Sequence, residues 1–295
     1  MTFPPSSTDP STSAASSSHQ HQTTQQQHPG LETLDTKTSD ESTPKQHSPQ
    51  GISIPKCLQD AKIATLPSTA YYIPNFISPE EEDALLHKVS TAPKPRWKQL
   101  THRRLQTWPS DLVNNKLIDA PLPTWLTDPV ITRLMSIPVY SYDDKNLFVE
   151  SPHKQPNHVL INEYPSGIGI MPHKDGAAYH PVVCTVSLGA SLCLNIYQSK
   201  EDGALDPQPA FRILQEPRSL LITTDDLYTE FLHGIADIYE DTNLSETTVA
   251  NWNLLRSSWS FKDGTNRRDI RTSLTYRDVI KVSNLGNKLG MFSKR

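Results

Sequence analysis

From Asn157 onward, apolar and polar residues alternate with a period of two in one short segment after another. His158–Tyr164 reads as a strand, and Val182, Cys184, Val186 and Leu188 share one face of the next. Leu192–Tyr197, Ser219–Thr223 and Arg271–Tyr276 continue the series. Several short strands joined by turns, behind one or two N-terminal helices, predict a mainly β fold with flanking helices: a double-sheet barrel of the jelly-roll kind.

The helices are placed by their end signals. Ser78 is a helix N-cap, Pro79 suits the first helical position and Glu81 completes a capping box. Leu85, Leu86 and Val89 supply the apolar face, and Pro93 and Pro95 end the helix. Before it, Ala70–Phe76 reads as an edge strand that stops at Pro74; a second short helix is expected from Pro123 to Met135. Residues 1–50 are almost all Ser, Thr, Gln, His and Pro, and lower the hydrophobic share of the whole chain to 35%. Such a segment cannot bury enough apolar surface to offset its ordering entropy, so a disordered tail is expected there. Its four histidines read as low-complexity filler. The expected layout is therefore a tail (1–50), helices and a lid (51–156), and a barrel core (157–295). Between Glu240 and Arg268 a polar segment reads as a surface insertion, with a hairpin around Trp252 to Trp259.

A net charge of −4 leaves no global basic field for gripping nucleic acid, although a local patch remains open. The three cysteines lack CxxC spacing, which points to a reducing compartment, and no apolar run approaches membrane-spanning length. The expectation is an intracellular monomer of the nucleus or cytoplasm that does not engage membranes.

Two stretches carry chemistry. On an extended segment His173 and Asp175, two apart, face one point. With a second imidazole they make a two-histidine, one-carboxylate set that leaves coordination positions open, as non-haem iron oxygenases require. Alone, His-x-Asp is a weak signal. The best third ligand is His233, in an apolar run before a glycine that permits close backbone approach; on its own it reads as a core histidine. The second stretch is Arg271–Arg277, where Arg271, Ser273, Thr275 and Arg277 share one strand face. That face makes a poor hydrophobic wall and a good dicarboxylate site, because guanidinium grips carboxylate with paired hydrogen bonds. Asn162 and Tyr164 are placed to add hydrogen bonds to the same ligand.

Taken in order, Asn162-x-Tyr164, His173-x-Asp175, His233 and Arg271-x5-Arg277 resemble the AlkB-like dioxygenases. The context from Asn162 to Gly167, from Met171 to Gly176 and from Val186 to Gly189 is similar to the sixth-homologue subgroup of animals, plants and fungi. The resemblance spans roughly Tyr71 to Asp278. It implies a double-stranded β-helix, the name given to the jelly roll in this family, with Fe(II) as cofactor and 2-oxoglutarate and O2 as cosubstrates. His173, Asp175 and His233 would ligate iron, Arg271 would pair with the distal carboxylate of 2-oxoglutarate, and Asn162, Tyr164 and Arg277 would complete that site. The implied reaction is oxidative demethylation or hydroxylation of nucleic acid. Two departures from the bacterial founder, Ser273 for an asparagine and Ala177 for an acidic residue, bear on base recognition rather than on iron.

By the same resemblance, Arg96–Pro109 corresponds to a substrate-recognition lid. Arg103 with Trp97 and Trp108 would bind single-stranded or damaged DNA or RNA by neutralising phosphates and stacking bases. In the other reading both tryptophans pack the lid onto the barrel. Competing functions are a protein or small-molecule hydroxylase with the same iron chemistry, and a non-catalytic binding module. A zinc hydrolase would have no need of the Arg271 strand.

Overall fold

The computed structural model describes residues 51–67, 69–198 and 204–283. The tail expected over residues 1–50 lies outside them. The strands, in chain order, are β1 (Ala70–Ile73), β2 (Lys98–Gln99), β3 (Arg104–Trp108), β4 (Leu112–Val113), β5 (Lys116–Ile118), β6 (His158–Tyr164), β7 (Ile170–His173) and β8 (Val182–Gly189). They continue with β9 (Leu192–Gln198), β10 (Phe211–Gln215), β11 (Leu220–Thr224), β12 (Phe231–Ile235), β13 (Glu240–Asp241), β14 (Asn266–Arg267), β15 (Arg271–Arg277) and β16 (Val282–Ser283).

A seven-stranded antiparallel sheet runs β1-β11-β8-β15-β6-β3-β2, and a four-stranded one runs β10-β9-β12-β7. Together they are the two sheets of a jelly roll, and β1 is an edge strand as expected. The larger sheet is two-faced because side chains alternate along each strand. Ile161, Cys184, Val186, Leu188, Leu274 and Tyr276 meet the flanking helices in the main core. The opposite face, with Asn162, Thr185, Ser273 and Arg271, looks into the barrel.

The helix α1 (Pro79–Ser90) carries the full capping box: Glu81 N–H donates to Ser78 Oγ, and Ser78 N–H donates to the Glu81 carboxylate. Leu85 and Val89 bury its apolar side. The helix expected from Pro123 to Met135 is broken into short pieces. Asp128 sits at φ −113°, ψ 128° within it, the extended conformation that Pro129 imposes on the residue before it.

Residues 242–265 depart further from expectation. They form two 3-10 turns, Trp252–Leu254 and Ser258–Phe261, in place of a hairpin. They are also not a purely surface segment, since Leu244, Val249 and Phe261 pack on Cys193 and Leu214 in a second core. Asn251, fully buried, binds both the N–H and the C=O of Leu214. The stem is closed by β13 pairing with β14 and by a buried, bidentate Arg268–Asp241 pair. No helix among the described residues is long and apolar enough to cross a membrane.

Candidate active site

Two neighbouring strands of the smaller sheet bring the histidines together. His173 on β7 and His233 on β12 are cross-strand partners, with ring centroids 4.5 Å apart. Close approach depends on glycine: a Cβ at Gly234 would lie 2.9 Å from the Pro172 nitrogen and 3.0 Å from the Ile170 oxygen. Asp175 follows β7, and one ligand atom from each of His173, Asp175 and His233 lies within 4.8 Å of the others. The three can hold one metal ion.

Each candidate ligand is set by a neighbour. His173 Nδ1 lies 2.9 Å from the Met171 carbonyl; with that nitrogen donating, Nε2 is left free to bind metal. Burial pushes His233 down to about 4, partly opposed by the Asp175 carboxylate, so its imidazole is neutral at physiological pH as a metal ligand must be. Asp175 accepts a hydrogen bond from Arg277 Nη1 at 3.0 Å, and both side chains are largely buried. The loop after Asp175 is tied by Tyr228, whose hydroxyl donates to the Gly176 carbonyl at 2.8 Å. Arg277 also lies 4.4 Å from the centre of the Tyr179 ring. It thus sits behind the Asp175 carboxylate, a position the sequence alone did not separate from the cosubstrate site.

These groups open onto a cavity of ≈ 430 Å³ inside the barrel. Asn162, Tyr164, Arg271 and Ser273 line it from the larger sheet and Arg103 from the turn before β3, whereas Leu194, Ile196 and Ile235 line it from the smaller one. Arg271 is buried to 2% exposure without an ion-pair partner among the described residues. Its Nη2 donates to Ser187 Oγ at 2.9 Å and to Gln215 Oε1 at 3.0 Å, while its buried Nε has no partner. Burial lowers its pKa to about 10; it remains a cation at neutral pH. A buried guanidinium that opens onto a cavity without a counter-charge is costly unless an anion completes it. Burial raises the Tyr164 phenol above its usual range, against the pull of Arg271 and Arg103, so it stays protonated and able to donate. A dicarboxylate that chelates a metal at one end fits this donor set.

Of the three lid residues singled out from the sequence, only Arg103 lines the cavity. Its Nε is 3.5 Å from Asn162 Oδ1 and its guanidinium 6.0 Å from the Tyr164 ring centre. Trp97 and Trp108 pack against the main core instead. Trp108 meets Trp125 edge-on at 5.5 Å and lies under Arg96, and Trp97 lies under Arg104. Alternation along β3 explains the split, because Trp108 and Gln106 share the helix-facing side while Leu105 points into the cavity. Sequence reasoning missed Lys174, Tyr179, Ser187 and Gln215, all of which line or brace the cavity. Ser187 was legible in principle, as the polar side of β8; Gln215 had no local signal.

Residues 69–277 match the family model described as the 2OG-Fe(II) oxygenase superfamily. A zebrafish (Danio rerio) protein named "Probable RNA/DNA demethylase ALKBH6" is 39% identical over 73% of this chain and 88% of its own length. Uncharacterized protein L905 of Acanthamoeba polyphaga mimivirus is 27% identical over 71% of this chain and 84% of its own. Among solved structures, that of OsALKBH1 is 14% identical, with a TM-score of 0.46 over 72% of this chain and 98% of that one. With the family model covering most of the chain, the curated relative at this identity and a His-Asp-His cluster in place, the chain belongs to the AlkB-like 2OG-Fe(II) oxygenases, dioxygenases that use Fe(II), 2-oxoglutarate and O2.

Proposed function

We propose that His173, Asp175 and His233 bind the iron, that Arg271, Asn162 and Tyr164 bind 2-oxoglutarate, and that the enzyme oxidatively demethylates or hydroxylates single-stranded or damaged nucleic acid. When bound, iron and cosubstrate activate O2 to hydroxylate a C–H bond, and an N-methyl group so hydroxylated is released as formaldehyde. The chain's own work is positional. Tyr164 and Asn162 offer hydrogen bonds from β6, Arg271 would supply the distal charge, and Arg277 restrains the Asp175 carboxylate by a hydrogen bond.

The substrate reading is carried by the charge left over at the mouth. The cavity is lined by four cations, Arg103, Lys174, Arg271 and Arg277, and by one carboxylate, Asp175. Arg277 is engaged with Asp175, and Arg271 is matched by the cosubstrate. Arg103 and Lys174 remain, and two cations beside an oxidising centre suit a substrate that carries phosphates. Other lid cations are occupied: Arg104 pairs with Glu163, Lys98 with Asp111, and Arg96 donates to the Pro109 carbonyl. A base would have to leave its stack to reach the metal.

A second reading, a protein or small-molecule hydroxylase, draws on a different observation. The rings that line the cavity, Tyr164 and Tyr179, already lie beside guanidinium groups, and both lid tryptophans face the core. Formaldehyde release from matched panels of methylated DNA, RNA and peptides separates the two. Release confined to single-stranded nucleic acid is expected; release from peptides alone would replace the leading reading. The three described cysteines are buried free thiols, in keeping with a protein of the nucleus or cytoplasm, and we propose that it acts there as a monomer.

A further inference from the structure

We infer that Gln215, together with Ser187, holds the Arg271 guanidinium in the pose that receives 2-oxoglutarate, which makes them positioning residues for cosubstrate capture. The inference rests on the role given to Arg271 above and addresses what keeps that arginine in place. An arginine side chain has several rotatable bonds, and in this site no carboxylate among the described residues pins it. Its two partners come from opposite sheets: Ser187 is on β8 of the larger one, and Gln215 ends β10 of the smaller. Ser187 Oγ donates to Gln215 Oε1 at 3.1 Å and accepts from Arg271 Nη2 at 2.9 Å, while Gln215 Oε1 also accepts from Arg271 at 3.0 Å. The three bonds close a ring and use the hydroxyl as both donor and acceptor. All three residues are at most 2% exposed.

The neutrality of Gln215 is central. A carboxylate at this point would form an ion pair with Arg271 and compete with the incoming dicarboxylate. An acid stands one residue further on, yet Glu216 takes other partners, accepting from the Tyr72 hydroxyl and the backbone N–H groups of Arg256 and Ser257. The backbone before Gln215 is held as well, through the paired bonds between Leu214 and Asn251. Residues 242–265 therefore grip the chain on both sides of Gln215. The polar segment thereby fixes the strand end that orients the cosubstrate arginine.

The test is equilibrium binding of 2-oxoglutarate to the anaerobic Fe(II) protein, alongside Fe(II) affinity and thermal midpoint. Gln215→Leu should weaken 2-oxoglutarate about tenfold, the value of one hydrogen bond to a charged group, with Fe(II) affinity unchanged. Gln215→Met, which also removes the acceptor, reports on the same bond should the leucine variant fail to fold. Gln215→Glu should weaken binding further, about 100-fold, by neutralising Arg271. Wild-type 2-oxoglutarate affinity in both Gln215→Met and Gln215→Glu would overturn the inference, as would equal losses of metal and cosubstrate. Arg271→Ala separates the positioning role from the reading beneath it. If this variant binds 2-oxoglutarate normally, the underlying reading of Arg271 fails too; if it does not while the Gln215 variants bind normally, only the positioning role fails.

Discussion

On β15 the two sides of one strand serve different ends. Leu274 and Tyr276 point into the helix-covered core and are fully buried there, while Arg271, Ser273, Thr275 and Arg277 point into the barrel. The same division continues on β6, with Ile161 on one side and Asn162 and Tyr164 on the other, and on β8, with Val186 against Ser187. A backbone held rigid by one face positions the polar groups of the other. It follows that damage to the two faces should look different: loss of stability on the helix side, loss of ligands with the fold intact on the cavity side.

The sharpest contrast comes from the metal cluster. Asp175→Ala should abolish 2-oxoglutarate turnover, by far more than the ~10–100-fold typical of changes behind a metal ligand, while circular dichroism and the unfolding midpoint stay near wild type. Global unfolding of this variant would break the comparison. On the opposite face, Leu274→Ala removes a fully buried side chain and should cost ~2–5 kcal/mol in urea denaturation. Below the transition, its 2-oxoglutarate affinity should be unchanged.

A pH titration probes a cavity-side residue that is sealed off from solvent. His158 lies next to Arg277 across the sheet, and burial, reinforced by Arg277, lowers it to about 4. An unfolded imidazole titrates near ~6.5, so the unfolded state takes up the proton first. The stability His158 contributes is fully present above about pH 6.5 and is lost as pH falls through about 4, a change on the order of 3 kcal/mol. His233 adds a similar slope to the metal-free protein. Urea midpoints of His158→Leu should therefore fall less steeply over this window than those of wild type; an unchanged slope would show that His158 does not contribute. The smallest effects are expected in the lid. Arg103→Ala should lower the salt dependence of single-strand binding by about one phosphate contact, and Trp97→Ala should leave it unaltered.

Signals that reside in neighbouring residues were legible in the sequence. The capping box of α1 needs only Ser78, Pro79 and Glu81, and the long strands β6, β8 and β15 announce themselves by alternation. The His-Asp-His cluster was legible through order and spacing, although His173 and His233 become partners only through the pairing of β7 with β12. Where the reading failed, the determinant was local but unused, or not local at all. Pro129 foretold the break at Asp128, and alternation along β3 would have set Trp108 and Leu105 on opposite faces. By contrast, Leu244, Val249 and Phe261 are too widely spaced among polar residues to show a period, and they are buried only because Cys193 and Leu214 lie beneath them. The Gln215–Ser187–Arg271 ring joins three strands, and no motif encodes it.

The most direct test of the central claim is an anaerobic titration of Fe(II) followed by 2-oxoglutarate, monitored for a metal-to-ligand charge-transfer band. The band should appear only when both are present, vanish in His173→Ala, and require much higher 2-oxoglutarate in Arg271→Ala. A wild-type protein that gives no band, or a His173→Ala protein that gives it undiminished, would contradict the assignment of His173, Asp175 and His233 as the iron site.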